Sequence, residues 1–380
     1  MTERPNLDDA SRKLMERAAP GRTQFEDLVV VPVFAVIAAL ILGALTMLAT
    51  NVDLPTIGKS YIALLQGSVG TVSAISEPLT AAIPLVLAGL GLALGFRAGL
   101  FNIGAEGQIL MGGMAAVIMG FSFPGLPFAI LMPLCLLAGA LAGALYASIA
   151  SYLRAATGAH EVISTIMLNL MSYRIVDYLL RQPWIQKEGR SDPISKSVPE
   201  HAGLPRLLEW LDPNLRVHTG VILMLLAVAV VYWILFRSKI GFEFRASGES
   251  PDAARYAGMK SGLVIVAAMG TAGALAGLAG ANQVLGVLDR ASPGFSAGIG
   301  FDAIAVALLG RSHPVGVLPA GLLFGALEAG GRQMQVDAGV SIDLIGIIQA
   351  LIIVFIAAPL LVRAIFPWGF RNSGTTGGQS

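Results

Sequence analysis

The segment Pro78-Leu-Thr-Ala-Ala-Ile-Pro-Leu-Val-Leu-Ala-Gly-Leu-Gly-Leu-Ala-Leu-Gly-Phe96 has 19 residues and no charged side chain. A helix of about 20 apolar residues crosses the roughly 30 Å hydrocarbon layer of a bilayer, because each residue rises about 1.5 Å. This segment therefore predicts a membrane-crossing helix. The whole chain agrees with it: 55% of its 380 residues are hydrophobic and 13% are charged. Soluble domains carry about 25% charged residues, so a soluble enzyme or nucleic-acid-binding protein is not indicated.

Other apolar runs repeat this pattern on both sides of the first. We predict an all-α polytopic membrane protein with about ten helices, near residues 28-49, 78-96, 101-121, 128-153, 160-180, 219-236, 262-288, 295-310, 314-331 and 342-362. The third and eighth of these begin with polar residues and glycine, so we expect short or broken helices there. One membrane domain over residues 28-366 accounts for the pattern.

The distribution of lysine and arginine predicts the orientation of these helices. With the N-terminus inside, 15 basic residues fall in inner segments and 3 in short outer loops. Positive residues concentrate on the cytoplasmic side of membrane proteins, so both termini should be cytoplasmic. Residues 1-27 then form a cytoplasmic extension, 181-217 a periplasmic loop, 237-261 a cytoplasmic loop and 367-380 a cytoplasmic tail. No apolar region precedes Leu28, so we do not expect residues 1-27 to be a cleaved signal peptide.

Directly after the opening segment comes Gly95-Phe-Arg-Ala-Gly-Leu-Phe-Asn-Ile-Gly-Ala-Glu-Gly-Gln108. It places Asn102, Glu106 and Gln108 at the start of an apolar run. An ionisable side chain at membrane depth costs about 2.5 kcal/mol or more, so it normally faces protein or water. Two interpretations stay open. The stretch is either an interrupted helix that faces a solute path, or a glycine-rich bend in which Glu106 pairs with a neighbour for packing.

A second glycine-interrupted stretch, Gly298-Ile-Gly-Phe-Asp302, occupies the corresponding place in the second half of the chain. Two short broken segments at matching positions are typical of inverted repeats with a binding site near the midplane. Polar and aromatic side chains at predicted membrane depth are therefore the candidates for a solute path. They are Phe101, Asn102, Glu106, Gln108, Asn169, Asn282, Gln283, Phe301 and Asp302.

The predicted cytoplasmic loop contains a helix-start signal. Ser250 or Asp252 can cap a helix with Pro251 in its first turn, and Gly248 and Gly258 bound the segment. A helix over 252-257 is too short to be stable alone in water, so it must dock on the bundle or on a partner.

Catalytic and metal-binding functions are not indicated by the residue pattern. The single cysteine, Cys135, can form no intramolecular disulfide, and no pair of the four histidines has the i, i+4 spacing of a metal-binding helix. The chain has no Gly-x-x-x-x-Gly-Lys-Ser/Thr loop for ATP phosphates. We therefore expect no catalytic residue, no metal and no cofactor on this chain, and its net charge of +1 gives no reason to expect nucleic acid.

Two motifs carry a resemblance to a known family: Arg97-Ala-Gly-Leu-Phe-Asn-Ile-Gly followed by Glu106-Gly-Gln, and Glu161-Val-Ile-Ser-Thr-Ile-Met-Leu-Asn169. The chain resembles the permease subunits of bacterial ABC importers for nucleosides and related simple sugars, in the wider branched-chain amino acid and ribose permease group. The resemblance covers about residues 28-366. Ala253-Ala-Arg-Tyr-Ala-Gly258 is similar to the cytoplasmic coupling helix of these permeases, although Ser250 stands where the family commonly has asparagine.

The resemblance implies a pore-forming subunit in the inner membrane that works by alternating access. A separate cytoplasmic ATPase, expected as a fused double cassette, would bind ATP and Mg²⁺. A second related permease and a periplasmic binding protein or lipoprotein would complete the transporter. The implied ATPase contacts are Gly248, Asp252, Ala253, Ala254, Arg255, Tyr256 and Gly258. Import of a branched-chain amino acid, or secondary transport without an ATPase, are the alternatives.

Overall fold

The computed structural model describes residues 31–357, so the predicted extension 1-27 and tail 367-380 lie outside it. The described residues belong to two compact units. One is Leu54–Ile345, and the other consists, in its described part, of residues 31–53 and 346–357. All of the candidate functional residues lie in Leu54–Ile345.

Within residues 31–357 the secondary structure is helical, with two isolated β-bridges and no strand. The thirteen α-helices are α1 Val31–Ala49, α2 Leu54–Val69, α3 Val72–Arg97, α4 Ala105–Ser122, α5 Phe128–Thr157, α6 Glu161–Leu180, α7 Gly220–Arg237, α8 Lys239–Glu249, α9 Pro251–Tyr256, α10 Ser261–Gln283, α11 Ile299–Leu309, α12 Pro314–Ala338 and α13 Asp343–Ala357. A π-helical turn, Val284–Leu288, extends α10.

Each of the ten predicted segments contains a helix, but the prediction missed α2 and α8. Two of the three basic residues counted above in short outer loops, Lys59 and Arg332, lie instead in the helices α2 and α12, so their placement in loops is wrong. Gly58, Lys59 and Gln66 interrupt the apolar run of α2, which hid it from a hydropathy criterion. Its small side chains pack instead against α12, where the Ser68 hydroxyl donates to the Ala326 carbonyl oxygen at 2.7 Å.

Six of the helices described are long and apolar enough to cross a membrane: α1, α3, α5, α7, α10 and α12. They confirm a polytopic membrane protein. In contrast, α11 has 11 residues and is about 16 Å long at 1.5 Å per residue, which is half a membrane thickness. This agrees with the expectation of a short helix in segment 295-310.

Glycines bring the long helices into backbone contact. A Cβ on Gly143 of α5 would lie 2.2 Å from the Gly273 carbonyl oxygen of α10, and a Cβ on Gly325 of α12 would lie 2.5 Å from the Pro78 carbonyl oxygen of α3. Lipid provides no hydrophobic force between helices, so close approach through small residues is what stabilises such a bundle. No larger residue fits these positions without moving a helix.

The unit Leu54–Ile345 has two distinct ends. At one end, which we call the α9 end, the Arg97 Nε atom donates to the Ser312 carbonyl oxygen at 2.9 Å, and Gly248 touches the backbone of Arg97. The other end, the opposite end, holds the start of α3 and the 181-217 segment. There the Ser76 hydroxyl accepts the Arg216 backbone N–H at 2.7 Å.

Candidate functional site

The first turns of α4 and α11 touch one another inside the bundle. Glu106 lies in the first turn of α4 and is fully buried. Gly300 lies in the first turn of α11, and a Cβ on it would be 2.3 Å from the Glu106 backbone nitrogen. Only a glycine allows the two backbones to approach so closely. We call this contact the α4–α11 junction.

The Glu106 carboxylate holds this junction together. Its Oε2 accepts the Gly300 backbone N–H at 2.7 Å, and its Oε1 accepts the Tyr173 hydroxyl at 2.9 Å and the Gly298 N–H at 3.3 Å. The Ser296 hydroxyl also donates to Oε1. The first N–H groups of a helix have no partner within the helix, and the helix dipole favours a negative charge beside them. Glu106 therefore caps α11 from a helix some 190 residues earlier in the chain.

The segment between α3 and α4, residues 98–104, is held by amide side chains, which, like Glu106, accept backbone N–H groups. Asn102 accepts the Gly104 N–H at 2.8 Å and exchanges two hydrogen bonds of 3.1 and 3.2 Å with Gln108. Asn169 of α6 accepts the Gly107 N–H at 2.8 Å and donates to the Ile103 carbonyl oxygen at 2.7 Å. The polar groups of this irregular segment thus find partners within the protein, as backbone at membrane depth requires.

The predicted path residues divide into two groups by exposure. Four of them are at most 3% exposed and are hydrogen-bonded to the protein: Asn102, Glu106, Gln108 and Asn169. The packing interpretation accounts for these hydrogen bonds, and solute contact at these residues stays a prediction. Phe101 and Phe301 are 42% and 46% exposed, and Asp302 is half-buried. These three side chains near the junction are exposed or half-buried on this chain, and solute contact there also stays a prediction.

Asn282 and Gln283 lie apart from the junction, at the end of α10. Asn282 is fully buried, and neither polar atom of its amide has a hydrogen-bond partner within the described residues. Its neighbours are Gly220, on which a Cβ would lie 2.1 Å from the Asn282 Nδ2 atom, and the imidazole of His218. Among the described residues, Asn282 is thus not one of the hydrogen-bond partners of Glu106.

Sequence reasoning missed three partners of Glu106: Tyr173, Ser296 and Gly300. Gly300 belongs to the glycine-flanked stretch that pointed to this region, so a signal for it existed. Tyr173 and Ser296 are ordinary residues of a helix and a turn, 67 and 190 positions away from Glu106. No local pattern distinguishes them.

The α9 helix begins and ends close to the predicted positions. Ser250 caps it by accepting the Ala253 N–H at 3.4 Å, and Gly258 ends the segment with φ of +86°, a conformation that favours glycine. Ala254 is buried against the bundle, whereas Tyr256 is 97% exposed. The other residues that the resemblance assigns to ATPase contact on this segment, Asp252, Ala253, Arg255 and Gly258, are also exposed.

Contacts at the end of α8, directly before α9, reach the segments next to both helices of the junction. A Cβ on Gly248, in the last turn of α8, would lie 2.3 Å from the Arg97 carbonyl oxygen, so this end of α8 rests on the turn that leads into α4. Arg97 in turn binds the Ser312 carbonyl oxygen, in the turn that follows α11. The Arg97 guanidinium also lies 6.0 Å from the centre of the Phe236 ring at the end of α7. The end of α8 next to α9 is therefore in contact with the segment before α4, and Arg97 links that segment to the turn after α11.

Comparison with known proteins agrees with this architecture. Residues 74–357 match the family described as "Branched-chain amino acid transport system / permease component". A guanosine ABC transporter permease protein of Bacillus subtilis is 38% identical over 336 residues, 88% of this chain and 94% of that protein. A glucose ABC transporter permease protein of Haloferax volcanii is 37% identical over 332 residues, 86% of each chain.

A nucleoside ABC transporter permease protein of Lactococcus lactis subsp. cremoris is 34% identical over 344 residues, 89% of this chain and 93% of that protein. No solved structure matches the chain significantly. The family match and the six apolar helices make the chain a multi-pass protein of the bacterial inner membrane. It is an ABC transporter permease, and it belongs to the family of branched-chain amino acid transport system permease components.

Proposed function

We propose that the chain imports nucleosides or related simple sugars as one permease subunit of an ATP-driven transporter. The observation that carries this proposal is the contact path from the exposed α9 helix, through Gly248 and Arg97, to the α4–α11 junction. The relatives support the class of solute, because those with high coverage are permeases for guanosine, glucose and nucleosides.

The proposed topology places both termini in the cytoplasm and all ten apolar segments in the membrane, with 295-310 as a segment that does not cross it fully. The charge bias supports this orientation. The arrangement of α4 and α11, two helices that start after a glycine-containing turn and meet at their first turns, supports an inverted repeat.

In the proposed mechanism, closure of the ATPase cassettes displaces α9 and α8 towards the bundle. Gly248 transmits the displacement to the turn before α4, and the Glu106 hydrogen bonds make α11 move with it. Phe101, Phe301 and Asp302 then change their exposure to the solute path. This is alternating access around a site near the midplane.

The proposed partners are a cytoplasmic ATPase with two fused cassettes, a second related permease and a periplasmic binding protein or lipoprotein. ATP and Mg²⁺ would be bound by the ATPase, and this chain would bind no cofactor. The exposed Arg255 and Tyr256 side chains support docking of the ATPase at α9, because an exposed aromatic residue beside an arginine is typical of protein interfaces.

Reconstitution tests the proposal. The complete transporter in proteoliposomes, supplied with its binding protein, should take up radiolabelled guanosine or glucose only when ATP is present on the ATPase side. Uptake of leucine alone would assign the chain to amino acid import. Uptake that continues without the ATPase would identify a secondary transporter and refute the proposal.

A paired substitution tests the coupling role of α9. Arg255→Glu with Tyr256→Ala should abolish solute-stimulated ATP hydrolysis, because it reverses a charge and removes the exposed ring at the proposed contact. The amount of inserted permease should not change, since both side chains are exposed and, among residues 31–357, neither makes a side-chain hydrogen bond or ion pair. Glu209→Ala with Trp210→Ala, in the 181-217 loop and likewise exposed, is the matched control at the opposite end. Normal stimulation in the α9 variant would exclude this segment from coupling.

A further inference from the structure

A polar cavity of about 570 Å³ lies at the opposite end of the unit, where α2 ends and α3 begins. Its walls come from α2, α3, α12 and the 181-217 segment. The polar side chains that line it are Gln66, Thr71, Ser73, Glu77, Asn214, Arg332 and Gln333. Sites for small molecules usually have volumes of about 300 to 1,000 Å³, so this cavity has room for one small solute.

The charges that line the cavity are paired. The Glu77 carboxylate lies 3.5 Å from the Arg332 guanidinium of α12 and 3.3 Å from that of Arg216 in the 181-217 segment. Arg332 also binds Glu328 one helical turn further along, at 2.9 Å. One acid and one base therefore line the cavity and offset each other, which favours a ligand without net charge.

The neutral side chains provide hydrogen bonds that the protein does not use. Within the described residues, the side-chain amides of Gln66 and Asn214 have no hydrogen-bond partner, and each combines two donors with one acceptor oxygen. A sugar hydroxyl is both donor and acceptor, so neighbouring hydroxyls on one ring match such amides.

Two walls of this cavity continue into the bundle towards the α4–α11 junction. The α3 helix begins at the cavity, and further along it a Cβ on Gly89 would lie 3.1 Å from the Val306 side chain and 3.6 Å from the Ala303 carbonyl oxygen of α11. The cavity is thus joined to the second helix of the junction by one continuous helix.

We propose that this cavity is an outer binding site for a neutral, hydroxyl-rich solute. The solute occupies it before it reaches the α4–α11 junction. The proposal rests on the proposed function, because it specifies where the imported solute first binds this chain.

Thiol labelling tests the site directly. The only cysteine of the chain, Cys135, is fully buried, so a cysteine introduced in the cavity can be labelled selectively. Ala74 lines the cavity, and its neighbour Ile75 is 45% exposed but does not line it. Ala74→Cys and Ile75→Cys would be placed separately in the complete transporter in whole cells or spheroplasts. Each would then be reacted with a membrane-impermeant thiol reagent, with guanosine, glucose or leucine present.

Both cysteines should react from outside. At about ten times its Kd, guanosine or glucose should slow labelling of Ala74→Cys about tenfold by occupying the site, while Ile75→Cys keeps its rate. Leucine should protect neither. Equal rates with and without the two hydroxyl-rich probes, protection by leucine, or equal protection at position 75 would each overturn the proposal.

Transport kinetics provide a second measurement. Ala74→Trp fills the cavity and should raise the KM for uptake at least about tenfold, the loss expected when roughly 1.4 kcal/mol of binding is removed. Ile75→Trp is the matched control and should leave KM unchanged. If the complete wild-type transporter takes up guanosine but Ala74→Trp has a normal KM, the outer site is refuted and the proposed function stands. If the wild type takes up neither guanosine nor glucose, the proposed function itself fails.

Discussion

Removal of the Glu106 carboxylate should destabilise the protein by separating α11 from α4. In Glu106→Ala, four donors lose their acceptor: the Gly298 and Gly300 N–H groups and the hydroxyls of Tyr173 and Ser296. The two hydroxyls can rotate to other acceptors, but the two backbone groups are fixed. A buried donor left without a partner costs about 1–3 kcal/mol, so the two backbone groups together predict a loss of about 4 kcal/mol.

The assay is unfolding of the purified permease in mixed micelles by a titration with sodium dodecyl sulfate. Glu106→Gln should lose about 2 kcal/mol, because its amide oxygen still accepts from the donors on one side while its NH₂ group faces a donor on the other. Glu249→Gln, an exposed acid in α8, is the control and should change nothing measurable. A Glu106→Ala variant that unfolds at the wild-type detergent concentration would refute the assignment of Glu106 as the group that holds the junction.

A double-mutant cycle makes this test specific for one hydrogen bond. Tyr173→Phe removes the 2.9 Å bond to Glu106 and should cost about 1.5–3 kcal/mol in the wild type, as expected for a bond to a charged group. In Glu106→Gln the same change should cost at least about 1 kcal/mol less. Additive losses would show that Tyr173 and Glu106 do not interact as the geometry indicates.

Two further predictions concern packing and pH. Gly143→Ala should lower the yield of folded protein sharply, because its Cβ would lie 2.2 Å from the Gly273 carbonyl oxygen. Gly58→Ala is the control and should be tolerated, since nothing lies within 4 Å of its Cβ. Equal yields of the two variants by size-exclusion chromatography would contradict the backbone contact. Burial, with the charges of Arg216 and Arg206, lowers the pKa of His218 from 6.5 to about 4. The unfolded chain therefore binds this proton more readily, so stability should fall as the pH drops from 6.5 towards 4, by about 2 kcal/mol at pH 5. His218→Gln should lose this part of the pH dependence, and an unchanged pH profile of detergent unfolding would rule out His218 as its source.

The sequence was sufficient for the fold class and for the segments with strong local signals. Hydropathy predicted ten of the thirteen described α-helices, and the Ser250 and Gly258 signals predicted α9. These signals are local, because they depend only on residues that are close in the sequence. The sequence was not sufficient to predict α2. The polar residues of this helix are accommodated by a tertiary contact with α12, and no local pattern indicates that contact.

The role of Glu106 could not be decided from the sequence for a related reason. A carboxylate that binds a solute and one that caps a distant helix have the same residue type, the same burial and the same glycine neighbours. Only the position of Gly300 and Tyr173 in space separates the two interpretations, and both residues are far from Glu106 along the chain. Phe101 and Phe301 met the same criterion as the buried candidates, a polar or aromatic side chain at predicted membrane depth. Only the structure shows that these two side chains are exposed.

The Gly248 contact joins the last turn of α8, directly before α9, to the bundle. Most contacts between helices are made by side chains, which can absorb a displacement of a few tenths of an ångström by small rotations. Here the backbone of Gly248 lies directly on the backbone of Arg97 and Gly99, and no side chain lies between them to deform. Closely packed protein has low compressibility, so this backbone contact deforms little when a force acts on it. In the proposed mechanism, this contact would therefore absorb little of a displacement of the end of α8 next to α9.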